Sequence, residues 1–402
     1  MVISGFANAK GKLVNKETTL RICRRTIAWT SSALLAGALI MPAPAWGIVT
    51  VDDAELAQGE NSVGGGTATL GDATLDMVDV TAGSLYTDES LQIGFEGGNE
   101  IGNVEVAGSA EVGMDFSGSN EVEEVHARDD ASVTINANGN NEFEEVEAHD
   151  RSNVTINVTD ENDFEEIAGY DDANVAVRGT SCQRRDIVNL GEDEEDTALA
   201  TEGGGLTIGH VTVNLLADEN AVGSEKGDVV IDTSKIAASD DDQYVLVDAG
   251  GNLLIRESVL DFAGTVHSGG EMTIDHSDVK VTTPDEDYED SSPYRVWSDS
   301  NIELIREKNG EVKEGKVGDK SVRYVDTGDD KEVDLKADGE PGYYRCKGDD
   351  DDGVSGAKAG ARIASLRGAL LPATGDGQGV AVAAACVLAG ATGVYVSRRH
   401  RA

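Results

Sequence analysis

From Asn99 the chain reads "NEIGNVEVAGSAEVGMDFSGS" (99–119), "NEVEEVHARDDASVTINANGN" (120–140), "NEFEEVEAHDRSNVTINVTDE" (141–161) and "NDFEEIAGYDDANVAVRG" (162–179). Written in blocks of 21 residues, the columns align without gaps. Asn99, Asn120, Asn141 and Asn162 head the blocks. Ile101, Val122, Phe143 and Phe164 share one slot, and Val104, Val125, Val146 and Ile167 the next. Val112, Val133, Val154 and Val175 follow, then Met114, Ile135, Ile156 and Val177. A fainter copy precedes them, with Val80, Leu85, Leu91, Ile93 and Phe95 in matching slots. A fixed period of this length marks stacked units that bury a core only against their neighbours. Within each block the apolar residues alternate, as in Val154, Ile156 and Val158, which is strand periodicity. Each block therefore predicts one coil with about two short strands, joined by turns rich in Asp, Asn, Ser and Gly. Successive coils pair edge to edge, ~4.8 Å apart.

A looser pattern follows the acidic stretch "GEDEEDTALATEGGG" (Gly191–Gly205). "LTIGHVTV" begins at Leu206, "VVIDTSKI" at Val229, "LLIRESVL" at Leu253 and "MTIDHSDV" at Met272. Val229, Ile231, Ser234 and Ile236 show the spacing of its apolar or small residues, and "NIELI" at Asn301 looks like a further coil. These stretches together resemble the right-handed parallel β-helix proteins, whose coils vary in length. The expected fold is all-β: a parallel β-helix or solenoid of roughly ten coils, with 21-residue coils followed by less regular ones of about 19–30 residues. A signal helix before it and a membrane helix after it complete the expectation. A leucine-rich repeat is the alternative. It is disfavoured because no leucine-dominated consensus and no helical segment recur in each block.

Composition points the same way. Aromatics make up only 4% of the 402 residues, whereas Gly numbers 48, which suits thin layers and many tight turns rather than a thick core. The formal net charge of −44 has the wrong sign for a nucleic-acid binder. The two ends differ from the acidic middle in being net basic, with nine Lys and Arg residues against Glu17 and Asp376. Lys10, Lys12, Lys16, Arg21, Arg24 and Arg25 precede residue 47, and Arg398, Arg399 and Arg401 close the sequence.

Near the beginning, "RICRR" is followed by the apolar "TIAWTSSALLAGALIM" and then "PAPAWG", the pattern of a secretory signal. Ala43-Pro44-Ala45 fits an A-x-A cleavage site, so cleavage is expected after Ala45, with Gly47 as the alternative. Near the end, Val380 to Ser397 is apolar or small throughout, roughly 27 Å if helical and enough for a bilayer. The arginines after it would hold that end on the cytoplasmic side.

"LPATG", an apolar span and a basic tail, in that order, resemble the sorting signal of LPXTG-type cell-wall surface proteins of Gram-positive bacteria. Leu371, Pro372, Ala373, Thr374 and Gly375 match the pattern position by position. The resemblance implies a sortase that cleaves between Thr374 and Gly375 and passes the Thr374 acyl group to an amine of a peptidoglycan precursor. Physical chemistry suits that role: Pro372 disfavours helix at Leu371, and Gly375 leaves the scissile bond uncrowded. The membrane would be engaged only transiently, before sorting.

Several residues are candidates for a site. The asparagine column suggests a ladder of stacked amides. Glu121, Glu142 and Asp163 form one column of acids, and Glu123, Glu144 and Glu165 another, both facing outward by alternation. Like charges ~4.8 Å apart repel by about 0.9 kcal/mol even in a water-like dielectric. Bound Ca²⁺ would relieve them, although a solvated acidic face is the plainer reading. Trp297 falls at an outward slot and, with Tyr288 and Tyr324, forms a candidate ligand-binding patch; Tyr294 aligns with the inward Val245 and is expected in the core. Cys182 and Cys346 could pair in an exported protein. His126 and His149 occupy different repeat slots and show no metal spacing. No nucleophile–base set, phosphate loop or zinc motif is present, so no catalytic residue, no resident metal and no cofactor other than Ca²⁺ is expected.

These readings divide the chain into a secretory signal (1–45), an N-terminal cap segment (46–77), a regular 21-residue-repeat β-solenoid (78–180) and an acidic linker (181–205). Irregular β-helix coils (206–310), a small β cap (311–350), a linker (351–370) and the sorting signal (371–402) follow. The expected function is that of a secreted, peptidoglycan-anchored surface protein that is not an enzyme. Its solenoid would serve as an adhesive surface for a glycan or for a host or bacterial surface protein. The alternatives are a wall-anchored polysaccharide lyase or glycoside hydrolase on a β-helix, and a passive spacer.

Overall fold

The computed structural model describes residues 48–180, 186–192, 196–238, 243–283, 292–328 and 332–345. The leader, the sorting signal, Cys182, Cys346 and Tyr288 lie outside the described residues. The described chain is an all-β parallel solenoid of about nine turns, built on the 21-residue repeat and then on coils of less regular length. At ~4.8 Å per turn the stack is roughly 43 Å long. Among the described residues the one helical element is a single turn, Gly342–Arg345, and no helix is long and apolar enough to cross a membrane.

Each regular coil contributes one strand to each of two walls. Glu100–Val106, Glu121–Ala127, Glu142–Ala148 and Glu161–Gly169 stack in the first wall. Glu111–Gly118, Ser132–Gly139, Asn153–Thr159 and Asn174–Gly179 stack in the second. The register is parallel and matches the repeat: Ile101 pairs with Val122, Val122 with Phe143 and Phe143 with Phe164. Across the core, Met114, Ile135, Ile156 and Val177 pair in the same way. Alternation aims these residues inward, and every one of them is buried.

The aromatic residues of the core switch walls part-way along. Phe95 stacks on Phe116 in the second wall at 4.3 Å between ring centroids, and Phe143 stacks on Phe164 in the first at 4.8 Å. An edge-to-face contact of 5.1 Å between Phe116 and Phe143 bridges them. Where the second-wall slot shrinks from Phe116 to Ala137, the first-wall slot grows from Val122 to Phe143 one coil later, so volume is conserved across a core two side chains thick.

The later coils continue both walls. Leu206 pairs with Val229, Val229 with Leu253, Leu253 with Met272 and Met272 with Ile302, as the looser spacing predicts. The stretch expected to be an acidic linker, 181–205, is instead part of the stack. Ile187–Leu190 lies beside Glu161–Phe164, and Asp196–Thr201 beside Ile167–Gly169, all parallel. Val188, Leu190 and Leu199 are buried in the core. The dense acids misled the sequence reading: described members such as Glu192 and Asp196 are exposed at the break between the two strands, while the alternating apolar residues on either side carry the coil. Beyond this break the first wall has two short strands in a coil, such as Lys235–Ala238 and Tyr244–Ala249, which rejoin as the single strand Val259–Ser268 in the next.

Antiparallel strands close both ends. Val49–Val51 runs antiparallel to the first-wall strand Thr81–Thr87, and the hairpin Gly59–Val63/Gly66–Leu70 covers Thr74–Val78. At the other end, Lys320–Asp326 of the hairpin 311–326 pairs antiparallel with Val296–Ser298, and Val333–Leu335 with Asp278–Thr282. These strands occupy hydrogen-bonding edges that would otherwise template further pairing.

Candidate functional site

One corner of the solenoid carries a continuous polar ladder. Asn99 Nδ2 donates to Asn120 Oδ1, Asn120 Nδ2 to Asn141 Oδ1 and Asn141 Nδ2 to Asn162 Oδ1, each at 2.8 Å. The same oxygens accept the backbone amides of the preceding coil. In the later coils serines take over, with the amides of Ser234 and Ser258 donating to Ser258 Oγ and Ser277 Oγ at 3.1 Å. Glu307 ends the series, accepting the Ser277 amide at 3.0 Å. Burial, with the nearby charges of Asp275 and Asp278, pushes the Glu307 carboxyl up to about 7 even though the Ser277 amide favours its ionised form. The ladder is structural: its members are consumed by one another.

The acidic columns face outward on the first wall, as expected. Glu121 pairs with Glu142 and Glu142 with Asp163, and Glu123, Glu144 and Glu165 lie on the same outward face. Burial and then the charges of Glu123, Glu121, Glu145 and Glu142 push the Glu144 carboxyl up. Amide donors relieve such crowding elsewhere: Asn189 Nδ2 lies 2.8 Å from both Glu161 Oε1 and Asp163 Oδ1, and Asn103 Nδ2 lies 2.7 Å from Glu124 Oε2. The opposite wall carries fewer acids and more amides, with Asn157 Nδ2 donating to Asn136 Oδ1 at 2.8 Å and Asn136 Nδ2 to Asp115 Oδ1 at 2.6 Å.

The aromatic patch expected around Trp297 does not form as an exposed surface. Trp297 is 4% exposed. It lies against His267, with ring centroids 3.9 Å apart, and under the cap strand, where it pairs with Tyr324. An outward slot at the end of the stack is open on one side, and here the closing strand fills that side while His267 fills the other. Tyr324 is half-buried and stacks on Tyr294 at 4.1 Å, and Tyr294 is itself half-buried rather than core. His267 Nδ1 lies 2.6 Å from Asp248 Oδ1, while Asp299 Oδ1 at 3.8 Å from Nε2 acts through charge alone. Burial by itself would push the imidazole down, but Asp248 and Asp299 raise it to about 9.

The structure also assembles a cluster that the sequence spacing hid. His126 pairs directly with Glu147 across one coil boundary, and His149 sits two residues further along, where the chain leaves the wall. His126 Nδ1 is 3.0 Å and His149 Nε2 2.9 Å from the same oxygen, Glu147 Oε2. Donor atoms of the three side chains all lie within 4.8 Å of one another. The rings of His126 and His149 stack at 5.9 Å, and His149 and Tyr170 stack at 4.8 Å. Burial would push His126 down, yet Glu147 and Glu124 hold it above its usual range; the two imidazoles hold Glu147 below its own despite burial. Comparing columns 21 residues apart sets His126 over Glu147, so only a diagonal comparison, one coil and two residues, would have found the second histidine. Compared with protein-family models, with curated proteins and with solved structures, the chain matches none of them.

Proposed function

We propose that the chain is an exported surface protein that a sortase joins to Gram-positive peptidoglycan through Thr374, with the solenoid held outward as a binding surface. The observation that carries the attachment is the order Leu371–Gly375, apolar span and arginine tail. An apolar anchor would hold the LPATG segment at the membrane and raise its local concentration at the enzyme. The fold supports the display: it offers two long walls of regular outward rows, one of them densely acidic, with antiparallel strands covering both ends of the first wall and the N-terminal end of the second. The partner is a glycan or a neighbouring surface protein, met by the walls or by the open groove beside the cap hairpin lined by Ser300, Gly315, Lys316 and Arg323.

Thr374→Ala tests the attachment. The wild-type chain should leave the wall fraction only after muramidase digestion, whereas the variant should appear in the membrane and medium. Unchanged muramidase-dependent release of the variant would refute attachment through Thr374. Binding is tested on an array of glycans and matrix proteins, beside turnover on a polysaccharide panel. Retention on the array without turnover is the expected result, and turnover would establish the enzymatic alternative.

A further inference from the structure

The cluster on the first wall has the composition and burial of a metal centre. His126 and Glu147 are each 8% exposed. His126 Nε2 contacts Glu124 Oε2 at 3.1 Å, so this nitrogen carries the proton when the ring is neutral. Nδ1 then directs its lone pair toward Glu147. Nδ1 is buried and has no hydrogen-bond partner despite lying 3.0 Å from Glu147 Oε2, because the contact lacks hydrogen-bond geometry. Two buried acceptors this close repel unless a proton or a metal cation lies between them, and the two compete for this position.

We propose that His126, Glu147 and His149 bind a divalent transition-metal ion of the Zn²⁺ class, with Glu124 orienting His126. Two imidazoles and a carboxylate form a donor set suited to Zn²⁺, whereas Ca²⁺ takes six to eight oxygens. Tetrahedral Zn²⁺ with bonds of ~2.0–2.1 Å sets its ligand atoms about 3.3 Å apart. The two edges to Glu147, 2.9 and 3.0 Å, need widen by only a few tenths of an ångström, and the edge between the imidazoles, within 4.8 Å, closes by a side-chain rotation. A carboxylate on the far nitrogen of a ligating histidine fixes ring orientation and raises ligand basicity, as Glu124 is placed to do. The side chain of His149 is 23% exposed, which leaves a route for the ion and an open position for water. The acidic wall around the site concentrates cations near it. The site needs only the folded solenoid, so its test is independent of attachment through Thr374.

The test uses the purified full-length chain, stripped of metal, titrated with ZnCl₂, CaCl₂ and CoCl₂ and followed by equilibrium dialysis, with visible absorption for Co²⁺. The chain should bind about one Zn²⁺ that excess Ca²⁺ does not displace, and Co²⁺ should give the intense d–d bands of a low-coordinate nitrogen–oxygen site. His149→Ala and His126→Gln should each weaken Zn²⁺ binding roughly tenfold or more, while Glu123→Gln in the adjacent acidic column leaves it unchanged. Three results would each overturn the proposal: no bound Zn²⁺, a weak octahedral Co²⁺ spectrum, or wild-type affinity in both histidine variants. The Co²⁺ spectrum of the unaltered chain decides the matter even if a variant fails to fold.

Discussion

At the scale of single residues, the core is so thin that each large side chain has one counterpart. Phe143 is fully buried between Phe116 and Phe164. Phe143→Ala should cost about 3–5 kcal/mol, because the small Ala137 slot in the neighbouring coil cannot close the void. Urea unfolding measures this, and a loss below 1 kcal/mol would mean that the phenylalanine stack is not a structural spine. Phe95, Phe143 and Phe164 were visible as column members, and Phe116 was not. Nor was their passage from one wall to the other, because it depends on which slots meet across the core.

At the scale of the coil, the turns decide where strands stop. After each regular second-wall strand the chain takes a left-handed residue: Gly97, Gly118, Gly139 or Asp160. Gly139 has φ +99°, and a Cβ there would come within 2.7 Å of the Gly118 carbonyl oxygen. In the opposite turn, Gly108 has φ +72° with open space around it, and Asp129 and Asp150 occupy the same slot in the next coils. Gly139→Ala should therefore destabilise well beyond Gly108→Asn, which leaves the melting temperature nearly unchanged. Equal effects in thermal melts would count against steric control at this corner. The same scale explains the misread linker: acid density marked 181–205 as a spacer, yet burial of Val188, Leu190 and Leu199 keeps it in the stack.

At the scale of the whole molecule, titrating groups at the closing end set the pH dependence. His267 is raised from its usual 6.5 to about 9, so its contribution is complete below about pH 6.5 and lost as pH rises through 9. That contribution is on the order of 3 kcal/mol. Glu307, raised from 4.5 to about 7, likewise contributes most below pH 4.5 and loses that contribution as pH climbs through 7. Asp299 works in the opposite sense. Burial would raise it, but His267 and Lys320 hold it below its usual 3.8, so its contribution is lost only as pH falls below that value. Stability should therefore be greatest near pH 4.5, decline first as Glu307 ionises and decline further toward pH 9 as His267 loses its proton. Urea midpoints measured across this range test it, and a maximum near pH 9 would refute the assignment. His267→Gln should flatten the decline above pH 6.5.

The sequence by itself determined the solenoid, the 21-residue register, the inward columns and the outward acidic rows. A parallel stack repeats one local environment in every coil, so identical offsets record identical contacts. The tertiary structure alone decided what breaks that repetition. It buried Trp297 beneath the cap hairpin, drew residues 186–192 and 196–205 into the walls, and brought His149 diagonally onto Glu147 and His126. Each of these contacts joins different slots or a capping strand to a coil, and such contacts are set by how the walls and ends close on one another, which no periodic column carries.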